Sequence, residues 1–317
     1  MFSGVRSLGY IFIGSDKHIF YFGPDIEPVA TARPGDIIHF ETMDCFANQI
    51  RSEAQLITQI DLSKANPATG PVFIEGADRG DVLKVEILDI KTSDNGIVAI
   101  APGFGFLGDK VKEPRTKICD IRENYVYFTG KGFAHFVEIK LPYRPMIGVI
   151  GVASDEKIPC VIPGRHGGNM DTKLITKGTT VYLPVLKRGG LLAIGDLHAV
   201  MGDGEVCVTG CEVSGEVLVR VDLIEDNPTP WPILETDDAY YIVVSRENIN
   251  DALYEATDLA VKVLAHSLAL SWDEAYMFAS MAVDIQISQI VNAVKTIRAR
   301  IPKEYTTATK LMEALKQ

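Results

Sequence analysis

A ten-residue pattern that occurs twice in the first third of the chain constrains the fold more than any other feature. Residues 32–41 and 77–86 share the form Ala-x-x-Gly-Asp-h-h-x-h-Glu, where h is an apolar residue. Gly-Asp is typical of a tight turn, and the apolar residues after it are typical of a strand. Two strands that begin in the same way favour a sandwich-like or jelly-roll-like layer of antiparallel strands, although two copies do not establish a repeat protein.

The C-terminal half contains two helical patterns. Apolar residues follow helical spacing from about residue 248 to 268, which predicts an amphipathic helix. Residues 271–274 (Ser-Trp-Asp-Glu) have the form of a capping box and predict a second helix that ends near Val283. We expect both helices to cover a sheet face. The predicted fold class is mixed α and β, predominantly β, with a mainly β layer over residues 1–140 and an α+β part over 141–317 that carries most of the site, together forming one integrated unit.

Composition narrows the range of partners. The chain contains 31 Lys and Arg residues and 42 Asp and Glu residues, which gives a formal net charge of −11. This balance argues against nucleic acid or an anionic membrane as a partner, and it accommodates a neutral or cationic small molecule. No apolar run has the length of a membrane-spanning helix, and residues 1–16 lack a convincing cleavage site. We therefore expect a cytoplasmic protein whose five cysteines are reduced.

The side chains best suited to chemistry are concentrated between residues 147 and 212. Residues 163–171 read Pro-Gly-Arg-His-Gly-Gly-Asn-Met-Asp, which is too rich in glycine for a helix interior and too polar for a buried strand. This segment should be a loop. A second polar segment, residues 195–198, reads Gly-Asp-Leu-His, and Glu205 follows it after the turn residues Gly-Asp-Gly.

The second segment predicts a geometry. Apolar runs at residues 191–194 and 206–208 flank the turn, which indicates two strands joined by a reversal. Residues two apart on a strand face the same side, so Asp196 and His198 would project together. Glu205, at the start of the returning strand, could then complete a three-ligand site for a catalytic zinc or a similar divalent ion. The alternative is that the Asp-x-His pair is only a hydrogen-bonded turn.

These segments resemble the acetamidase/formamidase family of amide hydrolases. The family's Pro-Gly-x-His-Gly-Gly-Asn-x-Asp loop matches residues 163–171, and its Gly-Asp-x-His-Ala-x-x-Gly-Asp-Gly-Glu-Val-Cys run matches residues 195–207, with Glu212 as the glutamate that follows. Further stretches that fit the family extend over nearly the whole chain: residues 76–86, 102–109, 144–153 and 284–291, the last being the family's closing signature.

The resemblance implies that Asp44, in a Glu-x-x-Asp pattern, reaches the active site as a further metal ligand or a base. Asn48 departs from the family, which more usually has glycine there. The alternative is that Asp44 caps a following turn or helix. Phe104 lies in an aromatic, glycine-hinged loop that could form the wall of an apolar substrate pocket, or could be a packed surface loop.

The resemblance favours an amidase that cleaves a small linear amide of the formamide or acetamide type with a metal-activated water. We expect Asp196, His198 and Glu205 to bind the metal, which is zinc or, alternatively, calcium or manganese. His166, Asn169 and Asp171 would orient substrate or transfer protons. Two alternatives are an amidase with Cys207 as nucleophile and a non-catalytic module that binds a metal or small ligand. We also expect a homo-oligomer, with a dimer favoured.

Overall fold

The structure is a computed structural model, and it describes residues 8–132 and 135–316. The expectation that the N-terminus carries no cleavable leader rests partly on residues 1–7, which lie outside the described residues. None of the helices within the described ranges combines the length and the apolar character needed to cross a membrane.

The strands and helices follow one another along the whole described chain. The strands in its first half are β1 (Tyr10–Ile13), β2 (His18–Ile19), β3 (Tyr21–Phe22), β4 (Ala30–Ala32), β5 (Ile37–Thr42), β6 (Ala68–Ile74), β7 (Val82–Thr92), β8 (Asn95–Ile100), β9 (Arg115–Arg122), β10 (Tyr125–Lys131), β11 (Phe136–Pro142), β12 (Met146–Gly151) and β13 (Ile158–Pro159). The remaining elements are β14 (Gly167–Asn169), β15 (Thr180–Pro184), β16 (Leu192–His198), β17 (Glu212–Val213), β18 (Gly215–Ile224), β19 (Ile233–Glu235), β20 (Ala239–Arg246), α1 (Ile249–Leu268), α2 (Trp272–Ala282), β21 (Asp284–Gln289), β22 (Lys295–Pro302) and α3 (Ala308–Leu315).

Two large sheets form the body of the protein. One has nine strands in the order β1-β5-β18-β7-β15-β19-β20-β22-β21. The other has eleven, with the path β11-β10-β9-β8-β17-β16-β12-β14 and with β6 joining β16, β2 and β4. All pairings in these two sheets are antiparallel except β1 with β5 and β4 with β6. The predicted mixed, mainly β class is confirmed, whereas the jelly-roll topology stays a prediction.

The division near residue 140 also stays a prediction. Both large sheets combine strands from its two sides. In the nine-stranded sheet β7 pairs with β15 and β18, and in the eleven-stranded sheet β8 pairs with β17. A single hydrophobic core contains side chains from both parts, among them Ile38, Val85, Ile147 and Leu197. This mixing holds the two parts of the chain together around the site.

The two Gly-Asp segments begin strands as predicted. Asp36 precedes β5 and Asp81 precedes β7, and each carboxylate accepts a hydrogen bond from the backbone N–H three residues before it, at 2.9 Å and 2.8 Å respectively. The carboxylate therefore closes the turn that launches the strand. Both strands then pair with β18, which lies between them in the sheet.

Both predicted helices are present. The side chain of Asn248 caps α1, and the Ser271 hydroxyl accepts a hydrogen bond from the Glu274 N–H at the start of α2. The buried face of α1 packs on β20 and β22, where Leu264 joins Val244 and Ile297 in one apolar cluster. Helix α2 packs on α1 within the same cluster, so the helices form no core detached from the sheet, and the prediction that a helix covers the sheet face is confirmed for α1.

The predicted strand at residues 206–208 is wrong. Residues 206–208 form a turn, and Glu205 and Val208 have φ of 47° and 87°, outside the extended conformation of a regular strand. The strand that returns along β16 is instead β17, which places Glu212 directly opposite His198. This register, which the spacing did not predict, brings a further carboxylate to the site.

Candidate active site

His198 is the centre of a buried group of carboxylates. It is 1% exposed, and four carboxylates reach its Nε2 atom. The distances are 3.1 Å to Glu212 Oε2, 3.5 Å to Asp196 Oδ1, 3.8 Å to Glu205 Oε1 and 3.9 Å to Asp171 Oδ1. We call these five residues the carboxylate cluster. All of its members are buried.

The backbone is strained where three of the four carboxylates are attached. Asp171, Asp196 and Glu205 have φ of 40°, 56° and 47°, in the left-handed region that residues other than glycine seldom adopt. Such strain is concentrated at functional sites, because the surrounding structure must hold it in place. Asp196 and His198 therefore do not meet through the regular alternation of a strand. The left-handed turn of Asp196 within β16 contributes to their approach.

Gly148 on β12 makes room for two of the carboxylates. A Cβ atom at this position would lie 2.5 Å from Asp196 Oδ2 and 2.7 Å from Asp171 Oδ1. Side-chain atoms do not approach so closely, so any larger residue would push one carboxylate away. The absence of a side chain at Gly148 is thus part of the geometry of the site.

Neutral groups hold the outer oxygens of the cluster. Asn66 Nδ2 donates to Asp196 Oδ2 at 2.8 Å, and Asn292 Nδ2 donates to Asp171 Oδ2 at 3.1 Å. A backbone N–H donates to Glu212 Oε1 at 2.7 Å. Within the described ranges, His198 is the only cationic side chain that forms an ion pair with these four carboxylates. The cluster is orientated by neutral donors but its negative charge is not balanced.

Burial and mutual repulsion shift the pKa values of the cluster. Burial raises the pKa of Asp171 and Glu212 to about 7 each, and the charge of Asp196 adds to both shifts. Burial and the charge of Asp171 raise the pKa of Glu205 well above its usual range. For His198, burial alone would lower the pKa, but the charges and hydrogen bonds of Glu212 and Asp196 outweigh it and raise the pKa well above its usual range. Carboxyl groups in this state are neutralised either by protons or by a bound cation.

The donor set fits a divalent metal ion. One ligand atom from each of Asp171, His198 and Glu205 lies within 4.8 Å of the other two, and the same holds for a second set, Cys45, Asp196 and Glu212. Within the described part of the chain, Asp171 Oδ1 is buried without a hydrogen-bond donor, and Glu212 Oε2 is buried with His198 Nε2 beside it at 3.1 Å. Oxygen atoms left in this way are costly unless a cation binds them. The predicted group Asp196, His198 and Glu205 is thus divided between the two sets.

Two cavities adjoin the cluster. A cavity of about 500 Å³ has Asp44 and Glu212 in its wall, with polar neighbours that include Arg51. A smaller cavity of about 250 Å³ has Glu205 and Cys207 in its wall, and its other neighbours are mainly apolar. The cluster therefore borders a polar and an apolar space, which suits a ligand with one polar and one apolar end.

Comparison with known proteins now adds to this geometry. The model of the acetamidase/formamidase family matches residues 16–161 and 156–306, which together make up most of the chain. The chain belongs to the acetamidase/formamidase family. It is accordingly an amide hydrolase, and the alternative of a non-catalytic binding module is not supported.

Members of the family resemble the chain in sequence and in structure. A formamidase from Methylophilus methylotrophus is 31% identical over 287 residues, an alignment that covers 69% of each protein. An acetamidase from Mycolicibacterium smegmatis is 29% identical, and the chain spans 64% of its length. The crystal structure of an acetamidase from Bacillus halodurans is 44% identical with a TM-score of 0.88, and the match covers 93% of this chain and 98% of that one.

Asp44 lies beside the cluster and also closes a turn. Its Oδ1 accepts hydrogen bonds from the backbone N–H groups of Phe46 and Asn48, at 2.9 Å and 2.8 Å. Burial raises the pKa of Asp44 to about 6, and the charge of Asp196 adds to the shift. Asn48 has a φ of 56°, which explains why the family more usually has glycine there and why asparagine is tolerated. The two expectations for Asp44, turn cap and neighbour of the site, are compatible.

His166 is not in contact with the cluster. It is 1% exposed, its ring packs on Phe22 at 5.1 Å between centroids, and its Nε2 has no hydrogen-bond partner among the described residues. Burial alone lowers the pKa of His166 to about 4, so the ring is neutral at pH 7. It lines a separate cavity of about 390 Å³ whose described walls contain no member of the cluster. The structure thus separates His166 from Asp171, five residues away.

Asn169 and Phe104 lie near the cluster without being part of it. Asn169 is buried, its backbone carbonyl accepts from Asn292 at 3.4 Å, and its Oδ1 has no partner among the described residues. Phe104 is half-buried and packs on an apolar group that includes Cys45 and Phe46. It therefore supports the segment that carries Asp44.

Four residues at the site were not assigned from the sequence: Cys45, Asn66, Glu212 and Asn292. Glu212 belongs to the family's motif, so the resemblance contained a signal for it. Cys45 directly follows Asp44, whereas Asn66 and Asn292 come from loops distant in sequence that no spacing connects with the cluster. Cys207, the candidate nucleophile, directs its Sγ towards Thr209, at 3.5 Å from its carbonyl and 3.7 Å from its hydroxyl.

Proposed function

We propose that the protein hydrolyses a small linear amide, of the formamide or acetamide type, to a carboxylic acid and ammonia, with the help of a divalent metal ion at the carboxylate cluster. The observation that carries this proposal is the grouping of Asp171, His198 and Glu205 ligand atoms within 4.8 Å, with Asp171 Oδ1 buried and without a hydrogen-bond donor in the described part of the chain. The related formamidase and acetamidase sequences support the substrate class.

A bound ion would polarise the amide carbonyl and lower the pKa of a water molecule. Asp171, His198 and Glu205 would hold it, with Asp196 and Glu212 as neighbours on His198. An imidazole together with carboxylates is a donor set typical of zinc, whereas calcium prefers oxygen ligands throughout. This chemistry favours zinc, with manganese and then calcium as alternatives.

Asp44 is the group best placed to carry a proton. A pKa of about 6 lets its carboxyl group both accept and release a proton near neutral pH. Two backbone N–H groups fix Oδ1, so Oδ2 remains the oxygen for the transfer. Asp44 shares a cavity with Glu212, which supports a role in delivering a proton to the leaving nitrogen.

The loop residues would act on the substrate and on the shape of the site. Asn169 Oδ1 is a buried acceptor that could receive an N–H of the amide. Phe104 would support the wall beside Asp44. His166 would act by holding the loop through the packing of its ring on Phe22, while its backbone carbonyl accepts from the Val152 N–H at 2.9 Å. A cysteine mechanism is less well supported, since both partners of the Cys207 sulfur belong to Thr209 and neither is a base.

The decisive experiment combines metal analysis with an assay of simple amides. We expect the purified protein to contain a stoichiometric divalent ion, to release ammonia from formamide or acetamide, and to lose this activity on chelation. Zinc should restore it. Bound metal without turnover of any amide in the panel would contradict the substrate class. Full activity after complete removal of metal would contradict the ion's role.

We also propose that the chain forms a homodimer through β11. This strand ends its sheet, and all seven of its residues are exposed, including Val137, Ile139 and Leu141. An unpaired apolar edge of this kind favours pairing with another strand. If two copies pair antiparallel about Ile139, Glu138 of each faces Lys140 of the other.

Charge reversal tests this register by sedimentation. Glu138→Lys and Lys140→Glu should each weaken the dimer, because like charges then face one another. A mixture of the two variants should form a heterodimer. Monomeric wild-type protein would contradict the proposal.

The cytoplasmic location also remains a proposal, and the free state of all five cysteines supports it.

A further inference from the structure

The closing signature of the family, residues 284–291, has no part in the proposed chemistry, yet it contacts both loops that carry metal ligands. Ser288 is fully buried near the end of β21. Its carbonyl accepts from the N–H of Gly204 at 2.7 Å, and its hydroxyl oxygen accepts from the Thr172 hydroxyl at 2.8 Å. Gly204 immediately precedes Glu205, and Thr172 immediately follows Asp171. Ser288 is therefore a junction between the two loops.

Arg298 fixes this junction from the neighbouring strand β22. It is 2% exposed, and its guanidinium donates to Ser288 Oγ at 3.1 Å and to the Ile287 carbonyl at 2.8 Å. It also donates to Gln286 Oε1 at 2.9 Å and to Asp203 Oδ2 at 2.8 Å. A planar guanidinium with four such bonds has a fixed orientation. Arg298 therefore holds Ser288 and the loop of Glu205 in one arrangement.

A second ion pair joins the two loops directly. Lys173 Nζ lies 2.8 Å from Asp203 Oδ2. Lys173 is two residues after Asp171, and Asp203 is two residues before Glu205. Because Asp171 and Glu205 repel one another and both have left-handed backbones, their loops would separate without such ties. The ties lie outside the carboxylate cluster and leave its oxygens free for a ligand.

From this arrangement we infer that Ser288 and Arg298 are positioning residues, which hold Asp171 and Glu205 at the separation that a divalent ion requires. The inference rests on the proposed function, since it assumes that these two carboxylates bind an ion. Groups behind the ligands of a metal fix their orientation, and removing one reduces metal affinity roughly 10- to 100-fold. This role gives residues 284–291 a function in the site, through the two contacts of Ser288 with the loops that carry Asp171 and Glu205.

The test compares two buried serines. Ser288→Ala removes the hydroxyl that bridges Thr172 and Arg298. Ser267→Ala is the matched control. Ser267 lies in helix α1, and its buried hydroxyl is likewise hydrogen-bonded to a threonine hydroxyl, that of Thr306 at 2.7 Å. Zinc affinity of the metal-free protein is measured by competition with a coloured chelator, alongside thermal unfolding. We expect Ser288→Ala to lower zinc affinity roughly 10- to 100-fold and Ser267→Ala to leave it unchanged, with similar losses of thermal stability.

A second variant keeps the inference testable if Ser288→Ala does not fold. Asp203→Asn keeps the shape of the side chain and removes the charge that Lys173 and Arg298 share, and we expect a smaller fall in zinc affinity. Wild-type zinc affinity in both Ser288→Ala and Asp203→Asn would overturn the inference while leaving the proposed function intact. A wild-type protein that binds no zinc, manganese or calcium would instead overturn the proposed function, and this inference with it.

Discussion

His166 and His198 have the same burial but opposite electrostatic states. Each is 1% exposed. Burial lowers the pKa of His166 to about 4, whereas the carboxylates around His198 reverse the effect of burial and raise its pKa well above the usual range. His166 packs on an aromatic ring, and His198 faces four carboxylates. The comparison shows that the neighbours of a buried histidine, rather than its burial, decide whether it suits a metal site.

Removal of His198 should have the largest effect. His198→Ala deletes the imidazole ligand and leaves carboxylates that repel one another, so zinc affinity should fall more than about 100-fold, beyond the loss typical of a residue behind the ligands. Amide hydrolysis should be lost with it and return partly in high zinc or manganese. Metal analysis and ammonia release measure both effects.

His166→Gln is the matched control for His198→Ala, because it changes the other buried histidine. We expect it to retain stoichiometric zinc. Equal loss of zinc in the two variants would show that His166 belongs to the metal site after all, and the contrast between the two histidines would disappear.

The pH dependence of the free energy of unfolding should reflect the titration of His166. The pKa of His166 is about 4 in the folded protein, below the 6.5 of an unperturbed histidine. As pH falls, the unfolded state therefore binds the proton before the folded state does. The contribution of the neutral His166 ring to the free energy of unfolding is complete above pH 6.5 and is lost as pH falls towards 4. The free energy of unfolding should drop by about 3 kcal/mol over this range. Denaturant unfolding at several pH values measures it, and a His166→Gln curve with the same acid slope would refute the assignment.

Neutralising one carboxylate should stabilise the metal-free protein. Burial raises the pKa of Asp171 to about 7, so its charge opposes folding at pH 8. Asp171→Asn should raise the free energy of unfolding by about 2 kcal/mol at pH 8, and this gain should shrink as pH falls from 7 towards 4. Zinc affinity should fall in the same variant. A metal-free variant less stable than wild type at pH 8 would mean that the cluster is not strained by its charge.

The smallest effect is expected at Cys207. Cys207→Ala removes a half-buried thiol that contacts Thr209, so kcat/KM for the amide should change by no more than about twofold. Steady-state ammonia release measures it. A loss comparable to that of His198→Ala would establish the thiol mechanism in place of the carboxylate cluster.

The sequence predicted those parts of the molecule that local patterns determine. Helices α1 and α2 and the strands after Asp36 and Asp81 follow from apolar periodicity and turn residues. The hairpin predicted through residues 206–208 is absent. The sequence could not show this, because the left-handed backbone of Glu205 has no signature in residue type. Asn66 and Asn292 reach the site only through the tertiary fold, so no spacing could have predicted them. His166 shows the converse, since proximity in sequence to Asp171 did not place it in the cluster.

Gly148 limits how this enzyme could be altered. A methyl group there would lie within 2.7 Å of a carboxylate oxygen of both Asp171 and Asp196. Libraries that diversify β12 in search of new substrates should therefore return inactive clones at this position, whichever amide is screened. Changes of specificity are more accessible in the wall of the smaller, apolar cavity, where Phe128 and Val206 lie.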